Sequence, residues 1–415
     1  MVKNRSNLIE LMTKPIKILI LGASNDQIKL IKMAKQLGYY VVDCDFTLTN
    51  PGLPFVDKHY QINYLDKDKV LKIAISEQVD GIISNSEQAM PIVAYVSEKL
   101  LLPGNSVDSV NMLADKTRFR TLQKEIGVYS PKHYEVASCE AAIDRIKVMK
   151  LPVLIKACEC SASRGIYKVD KFDECYIKDA FGKSAKLSWN GKVSIEEFVT
   201  MPSLTTYEGD IFVIDDDIIW DGIFYTQRSS KAPMIPMTYS GPLNVNDKFF
   251  DSIKDVFSRI FKSVGIRLGQ YNVELYFTDK NEPFVIEINT RQGGRNLPEF
   301  IEQFSSVNLT KLLVSTCVGE KSYYEEYKNQ ECKTKYISHH LIFPHENGIF
   351  AGIYIDSEIE NYIISKVVNV SLGDELEESR NGTGLIGFID FEFPNSEIRN
   401  KYAFCIEDYV YVMYL

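Results

Sequence analysis

Strands and helices alternate along the first part of this chain, and that alternation constrains the fold more than any other feature of the sequence. The apolar run 16–21 predicts a buried strand. The segment 27–37 carries apolar residues at helical spacing and is followed by Gly38. Two further strands are predicted at 39–44 and 81–83. Strands separated by helices form parallel sheets with helices on both faces, so the sequence predicts an α/β unit here.

Composition and charge are typical of water-soluble globular proteins. Of the 415 residues, 45% are hydrophobic and 25% are charged, and the formal net charge of −9 argues against a nucleic-acid groove, which needs clustered Lys and Arg. The eight cysteines show no paired zinc-type spacing, which predicts reduced thiols. No signal peptide is evident, and the apolar run 16–21 is too short to span a membrane. We therefore expect a cytoplasmic protein that binds neither nucleic acid nor membrane.

Strand-rich segments follow the first unit. Strands predicted at 153–156, 166–169 and 193–198 surround a loop of small residues at 161–165. Beyond them the sequence predicts two hairpins, a helix at 249–264 between the hairpins, and a tail of short strands separated by Gly and Asn. These changes of pattern divide the chain into four expected units, 1–113, 114–195, 196–320 and 321–415.

The second hairpin brings acidic and amide side chains together. Its strands, 271–277 and 284–288, carry Glu274 and Glu287. Asn289 lies two residues beyond Glu287 and faces the same side of the sheet. Two carboxylates and an amide oxygen form a hard oxygen site that suits Mg²⁺, which takes its other ligands from waters and phosphates. A solvated acidic face on an edge hairpin is the alternative interpretation of these residues alone.

Two arginines follow the hairpin. Arg291 continues the alternation from Asn289 on the same face, where a guanidinium can hold a phosphate or a carboxylate through two hydrogen bonds. Gly293 and Gly294 allow a turn or a close approach to a ligand, and Arg295 adds a second cation. Taken singly, each arginine is better explained by a surface position with a local partner.

Lysines and small residues upstream form a candidate phosphate-binding set. Lys156 ends an apolar strand, where its charge needs an anion or water, and Lys116 begins a helix after Asp115. The loop 161–165 can surround phosphates with backbone N–H groups, although it is not a Walker A sequence. The segment 196–199 can present backbone groups and a carboxylate to an adenine ring. In isolation, each feature has an ordinary explanation as a solvated lysine, a hairpin turn or an acidic strand end.

In this order, the segments resemble the ATP-grasp superfamily over about residues 15 to 320. The resemblance rests on six segments in sequence order, namely Asp115-Lys116, 153–156, 161–165, 196–199, Glu274 and 287–291. It implies a mixed α/β and α+β architecture, in which an N-terminal Rossmann-like parallel-sheet domain, 1–113, precedes a two-lobed ATP-grasp fold. The expected small lobe is 114–195, the large lobe is 196–320, and a strand-rich C-terminal subdomain follows at 321–415.

The resemblance also implies roles for individual residues. ATP is expected to bind Lys116, Lys156, Ser161, Ser163, Arg164, Gly165, Glu196, Glu197, Phe198, Val199 and Glu208, the last as the candidate ribose contact. Mg²⁺ (or Mn²⁺) is expected at Glu274, Glu287 and Asn289. The expected catalytic cations are Arg291, Arg228 and Arg295, with Arg291 stabilising the transferring phosphoryl group.

Within the superfamily, the chain is most similar to carboxylate–amine ligases, including L-amino-acid ligases. The stretch 291–299 carries this similarity, and its continuation after the arginine differs from that of biotin carboxylases. The resemblance implies ATP-dependent formation of an amide through an acyl-phosphate, with small-molecule carboxylate and amine partners such as amino acids or their derivatives. A bicarbonate-activating carboxylase or carbamoyl-phosphate-type enzyme is one alternative, and a non-catalytic ATP-binding protein is the other.

Two regions leave choices open. Gly22, Ser24, Asn85 and Glu87 follow predicted strands of the first unit, where ligands of parallel sheets gather, but they serve equally well as turn and cap residues. The tail 321–415 either covers the site or forms a homodimer contact, and its sequence does not choose between the two.

Overall fold

The first unit is a parallel sheet between helices, as the sequence predicts. The computed structural model describes residues 14–158, 165–188, 190–233, 235–243, 248–329, 335–379 and 382–415. The strands of the first unit are β1 Lys17–Leu21, β2 Tyr40–Asp45, β3 Lys58–Gln61 and β4 Gly81–Ile83. They are parallel, in the order β3-β2-β1-β4. The helices are α1 Ile28–Gln36, α2 Lys67–Glu77, α3 Met90–Leu100 and α4 Val107–Ala114.

Strand β1 shows why this unit needs helices on both faces. Its side chains alternate between two cores: Ile18 and Ile20 pack with α1, whereas Leu19 and Leu21 pack with α2 and α3. All four side chains are fully buried. A strand that is apolar on both faces is stable only between two layers, which is the arrangement observed.

A smaller antiparallel sheet follows. Its strands are β5 His133–Val136, β6 Val153–Ala157, β7 Ile166–Val169 and β8 Val193–Glu197, in the order β5-β8-β6-β7. The helices of this region are α5 Lys116–Glu125, α6 Cys139–Lys147 and α7 Glu174–Leu187. Helices α6 and α7 bury one core with Ile155 and Ile195 of this sheet. Helix α5 instead packs Phe119 and Leu122 into the core of the large sheet that follows.

The large sheet has eight antiparallel strands, which lie between Thr205 and Phe393, and a separate sheet is formed by strands of the tail. The first strands of the large sheet are β9 Thr205–Ile214, β10 Asp217–Arg228, β11 Pro236–Gly241, β12 Leu268–Phe277 and β13 Pro283–Asn289. The later strands are β14 Tyr336–Ile342, β15 Gly348–Ile355, β16 Ile363–Val368, β17 Glu375–Leu376, β18 Gly387–Phe393 and β19 Val410–Tyr414. The order of the large sheet is β13-β12-β9-β10-β11-β14-β18-β16, and β17-β15-β19 form a separate sheet. The strand-rich tail therefore shares the large sheet through three of its strands.

Helices cover both faces of the large sheet. They are α8 Lys248–Val264, α9 Leu297–Ser305, α10 Leu309–Thr316 and α11 Ser322–Lys328, and the tail adds α12 Ser357–Glu360 and α13 Ser396–Ala403. The apolar stripe of α8, which includes Ile253, Phe257 and Ile260, covers one face, and α9 and α10 cover the other with Phe300 and Leu312. None of the described helices is long and apolar enough to cross a membrane.

Gly209 is the residue at which the pairing of β9 and β10 is most sensitive to substitution. A Cβ atom at this position would lie 1.8 Å from the carbonyl oxygen of Gly222 on β10. We expect Gly209→Ala to lower the free energy of unfolding by at least about 2 kcal/mol, because the backbones must separate. Gly182→Ala is the matched control, since Gly182 in α7 has open space around it and should gain about 0.5–1 kcal/mol. Urea unfolding measures both variants, and equal stabilities would contradict the close approach.

Candidate active site

Three glutamates lie side by side across neighbouring strands of the large sheet. Glu274 on β12 is directly opposite Glu208 of β9 on one side and Glu287 of β13 on the other. Adjacent carboxylates repel each other unless cations compensate them. Arg228, which is buried on β10, donates hydrogen bonds to both Glu208 and Glu274. The structure therefore brings together Arg228, Glu274 and Glu287, three of the predicted site residues.

A β-bulge sets this alignment. From Phe277 to Leu275, β12 pairs with β13 in one register, and the register then shifts by one residue at Ile286. Without that extra residue, Glu274 would pair with Ile286, and Glu287 would face away from it. The bulge therefore places the two carboxylates on one face, a known use of bulges near functional sites.

The two carboxylates have opposite electrostatic environments. Burial raises the pKa of Glu274 to about 8, because the neighbouring Glu208 and Glu287 add to the effect of desolvation and Arg228 only partly offsets it. Burial also acts to raise the pKa of Glu287, but Lys116, a hydrogen bond from Asn289 and the charge of Arg291 outweigh it and hold that pKa below its usual range. The positive charge of Arg228 therefore does not fully compensate the negative charge of an ionised Glu274.

The chemistry of these side chains fits a divalent metal. Asn289 Nδ2 donates to Glu287 Oε1 at 3.1 Å, so the predicted third ligand lies beside the carboxylates on the same face. Within the described ranges, no group of three or more His, Cys, Asp or Glu side chains is arranged to hold a metal alone. Two carboxylates and one amide instead provide a partial oxygen shell, which suits Mg²⁺ completed by waters and phosphates.

A buried ion cluster connects the small sheet to the large one. Glu196 on β8 accepts hydrogen bonds from Lys156 Nζ at 2.7 Å and from Arg120 Nε at 3.4 Å. Arg120 also donates to the carbonyl oxygens of Val285 at 3.0 Å and Ile286 at 2.7 Å. Burial acts to raise the pKa of Glu196, but Lys156 and Arg120 outweigh it and lower that pKa to about 2. Glu196 is therefore an ionised carboxylate that two cations already hold.

A pocket lies between these two sheets. The side that faces the small sheet includes Lys156 and the segment 196–199, and the opposite side includes Arg228, Glu274 and Glu287. The structure thus brings seven of the fourteen predicted nucleotide and metal residues to one cavity, namely Lys156, the four residues 196–199, Glu274 and Glu287. The carbonyl of Val199 accepts a hydrogen bond from Tyr276 Oη at 2.6 Å, which connects this segment to β12.

Three predicted phosphate-loop residues, Ser161, Ser163 and Arg164, lie outside the described residues. Gly165 is described and ends the connection between β6 and β7 with φ +68, and its carbonyl accepts a hydrogen bond from the Ala157 N–H at 3.0 Å. The N–H of Lys116 donates to Cys158 O at 3.1 Å, so the start of α5 lies at the other end of the same connection.

A second, polar cleft of about 650 Å³ lies between the first unit and the segment after β13. Its lining includes Gly22, Ser24, Asn85, Glu87 and Arg291, the last of which is 3.6 Å from Glu87 between Nη2 and Oε2. The polar residues that follow the parallel strands therefore gather beside Arg291, as expected for ligand sites at the carboxyl ends of such strands. The cleft has the size of a small-molecule site.

Two predicted residues have other contacts. Arg295 Nη2 donates to the Gly382 carbonyl at 3.3 Å, and its guanidinium lies over the Phe343 ring, so this side chain contacts the C-terminal strands and not the cavity that contains Glu287. Glu208 is held by Arg228 and by Thr206, and its assignment to the ribose stays a prediction.

Arg120 is the site residue that the sequence analysis missed. It lies in α5 beside Phe119 and is fully buried, which is unexpected for an arginine unless its charge is paired. Gln123, three residues later and on the same face as Arg120, accepts from Arg120 Nη1 at 2.8 Å. An Arg and a Gln three residues apart, next to Phe119 and Leu122 in a short helix, were the available signal.

Arg120→Met should destabilise the protein by about 3 kcal/mol, because it removes a buried cation and leaves carbonyls of β13 without their donor. Arg118→Met is the matched control in the same helix, since Arg118 pairs with the exposed Asp108 and should cost within about 1 kcal/mol. Urea unfolding of the two variants gives the difference. Equal losses would show that the buried cluster contributes no more than a surface pair.

Comparison with known proteins identifies the fold. A family model described as the D-ala D-ala ligase C-terminus matches residues 123–313. The carbamoyl phosphate synthase large chain of Clostridium beijerinckii is 24% identical over 330 residues, which cover 77% of this chain and 30% of that protein. The chain therefore spans less than a third of this relative's length.

Two solved structures match almost the whole chain. An L-amino acid ligase from Bacillus licheniformis has a TM-score of 0.76 and 19% identity, and the match covers 97% of this chain and 100% of that one. A phosphoribosylglycinamide synthetase from Anaerococcus prevotii has a TM-score of 0.69 and 21% identity, with the same coverage of 97% and 100%. Together, the match over residues 123–313 and the shared fold show that this chain is similar to ATP-grasp ligases and has their fold.

Proposed function

We propose that this protein is an ATP-dependent carboxylate–amine ligase. In the proposed reaction, a substrate carboxylate oxygen attacks the γ-phosphorus of ATP, and the bond to the β-phosphate oxygen breaks to release ADP. An amine then attacks the acyl-phosphate carbon, loses a proton and displaces inorganic phosphate, which forms an amide. The structural similarity to an L-amino acid ligase supports amino acids or their derivatives as the substrate class.

The order of the site residues along β13 and the turn that follows it is the observation that carries this proposal. Glu287, Asn289 and Arg291 follow one another at intervals of two residues. Glu287 lines the pocket between the sheets, whereas Arg291 lines the cleft of the first unit. A nucleotide in the pocket and a carboxylate in the cleft would meet beside this segment, so the geometry suits transfer of a phosphoryl group between them. Positioning and charge stabilisation are the main tasks of a protein in such a transfer.

The nucleotide would occupy the pocket between the sheets. The adenine would lie against 196–199, while Lys116, Lys156 and the connection that ends at Gly165 would contact phosphates. Lys156 has a pKa lowered by burial, and Glu196 only partly restores it, so an added phosphate would supply the negative charge that its site lacks. Arg228 is held between Glu208 and Glu274 and lines the same pocket, which suits it to contact the transferring phosphate.

Glu274, Glu287 and Asn289 would hold Mg²⁺ or Mn²⁺ beside these phosphates. Such an ion would offset the negative charge of the phosphates during transfer. The raised pKa of Glu274 supports this assignment, because it marks a carboxylate whose charge is not fully compensated by protein groups. Arg291, on the cleft side, would then stabilise charge on the transferring phosphoryl group and orient the acid.

A carbamoyl-phosphate-type or bicarbonate-activating enzyme is the second candidate, because the curated relatives include carbamoyl phosphate synthase large chains. It would use the same nucleotide pocket and a smaller acid. A phosphate-release screen of amino acids, singly and in pairs, against bicarbonate separates the two functions. Release that requires two amino acids together, with an amide product by mass, supports the ligase; release that requires bicarbonate alone supports the second candidate.

Glu287→Ala should lower Mg²⁺-dependent ADP formation by at least about 100-fold while the protein stays folded, because the metal loses a carboxylate ligand. Glu282→Ala is the matched control, since Glu282 is an exposed glutamate in the turn of the same hairpin. ADP release at saturating ATP and circular dichroism measure the two effects. Full activity of Glu287→Ala would remove this residue from the metal site.

Arg291→Ala should lower kcat by about 100- to 1,000-fold and change the Kd for ATP by less than about threefold, because Arg291 faces the acid cleft. The exposed Arg267 provides the control substitution Arg267→Ala. Steady-state kinetics give kcat, and calorimetric titration with ATP gives the Kd. Loss of ATP binding with an unchanged kcat would contradict the proposed role.

A further inference from the structure

A fully buried carboxylate, Asp210, lies on β9 next to the site but belongs to neither cavity. It accepts hydrogen bonds from three residues. Gln270 Nε2 donates to Oδ2 at 2.7 Å, and Asn272 Nδ2 donates to Oδ1 at 2.9 Å. The backbone N–H of Gly293 lies between the two oxygens, at 3.0 Å from Oδ1 and 2.8 Å from Oδ2. In each of these hydrogen bonds the neighbouring residue is the donor. The side chain at position 210 must therefore be one that only accepts hydrogen bonds, as an ionised carboxylate does.

These contacts fix the turn that carries Arg291. The carbonyl of Arg291 accepts from the Asn272 backbone N–H at 3.0 Å, and two residues further along the chain Asp210 holds the N–H of Gly293. The side chain of Gln292 donates to Gln270 Oε1 at 2.8 Å. The backbone from Arg291 to Gly293 is therefore held by neighbouring strands of the large sheet.

Gly293 is required by this arrangement. A Cβ atom there would lie 2.7 Å from Asp210 Oδ1 and 2.6 Å from Leu297 Cδ2. The carboxylate can therefore reach the backbone N–H only because residue 293 has no side chain.

The same network reaches the proposed metal ligands. Asn289 Nδ2 donates to Glu287 Oε1 at 3.1 Å and lies 3.4 Å from Asn272 Oδ1. Asn272 is opposite both Asn289 and Asp210 in the strand register. A continuous hydrogen-bonded path therefore runs from the metal ligands through Asn272 and Asp210 to the turn of Arg291.

We propose that Asp210 is a positioning residue that fixes Arg291 relative to the metal ligands, a role that rests on the ligase function proposed above. A buried carboxylate is costly to maintain, and a stable sheet needs none at this position. Its hydrogen bonds lead to β12, which pairs with the strand that carries Glu287 and Asn289, and to the turn that follows Arg291. Displacing a reacting group by about 1 Å can lower the rate about 100-fold. Contacts that keep the turn of Arg291 in place should therefore maintain kcat.

Asp210→Asn tests this proposal, because an amide N–H₂ would face a donor on whichever side it points. We expect kcat to fall about 10- to 100-fold, while the KM for ATP changes by less than about threefold. In the Arg291→Ala background the same substitution should cause no further loss, since Asp210 acts through Arg291. Asp43→Asn is the matched control, a fully buried Asp of the first unit that contacts His59, and it should leave kcat unchanged.

Asn272→Ala provides a second variant if Asp210→Asn does not fold, because it breaks the path and leaves Asp210 with its other donors. It should also lose kcat and show no further loss with Arg291→Ala. Independent, multiplicative losses in the double variants, or an unchanged kcat in the foldable single variant, would overturn the positioning role.

Hydrogen–deuterium exchange separates this inference from the proposed function, because it requires no turnover. In Asp210→Asn, or in Asn272→Ala if that variant is used, peptides that cover 289–297 should exchange faster, while peptides of β1 keep their rates. Unchanged exchange at 289–297 would overturn the inference. An unmodified protein that releases no ADP with any substrate would refute the ligase function, and the exchange result would still decide whether Asp210 holds the turn.

Discussion

The buried guanidinium of Arg120 connects the two sheets that form the pocket lined by Lys156 and Glu287. It joins Glu196 on the small sheet to two backbone carbonyls of β13 on the large sheet. One of those carbonyls belongs to Ile286, the extra residue of the bulge, which strand pairing alone would leave without a donor. The same arginine therefore supports the bulge that aligns Glu274 with Glu287 and the wall of the pocket that faces them.

The charges of the site lie on strands, and this limits how far they can move. Glu208, Glu274 and Glu287 occupy three neighbouring strands, and Arg228 comes from a fourth. Side chains fixed by a sheet keep their distances better than side chains on loops. The first unit then adds Glu87 from the end of a parallel sheet, so the walls of the cleft beside Arg291 and of the pocket between the sheets come from different sheets.

The sequence predicts the elements of this fold better than their pairing. The strands at 16–21, 153–156 and 193–198 and the helix at 249–264 are confirmed within a residue or two, because each carries a clear apolar pattern. Short polar strands such as β3 and β5 were missed, since their patterns are weak. The bulge at Ile286 has no local signal in the sequence. The contacts of Arg295 have none either, because they are made with Phe343 and Gly382 in the C-terminal tail.

The residues of the site were predictable as a set but not as contacts. A sequence motif indicates that Lys156 and Glu196 belong to one site, yet only the packed structure shows that they bind each other. The role of Asp210 depends on a glycine that lies beside it in space and eighty-three residues away in the chain.

The position of β14 in the large sheet has a consequence for the order in which the chain can fold. β11 pairs with β14, and Ile337 and Leu341 of β14 complete the core beneath α9 and α10. On the ribosome, strands β9 to β13 of the large sheet emerge before β14, which covers the edge of β11. A nascent chain would therefore expose an unpaired edge and an open apolar surface until β14 is synthesised, and such intermediates are prone to aggregate or to engage chaperones.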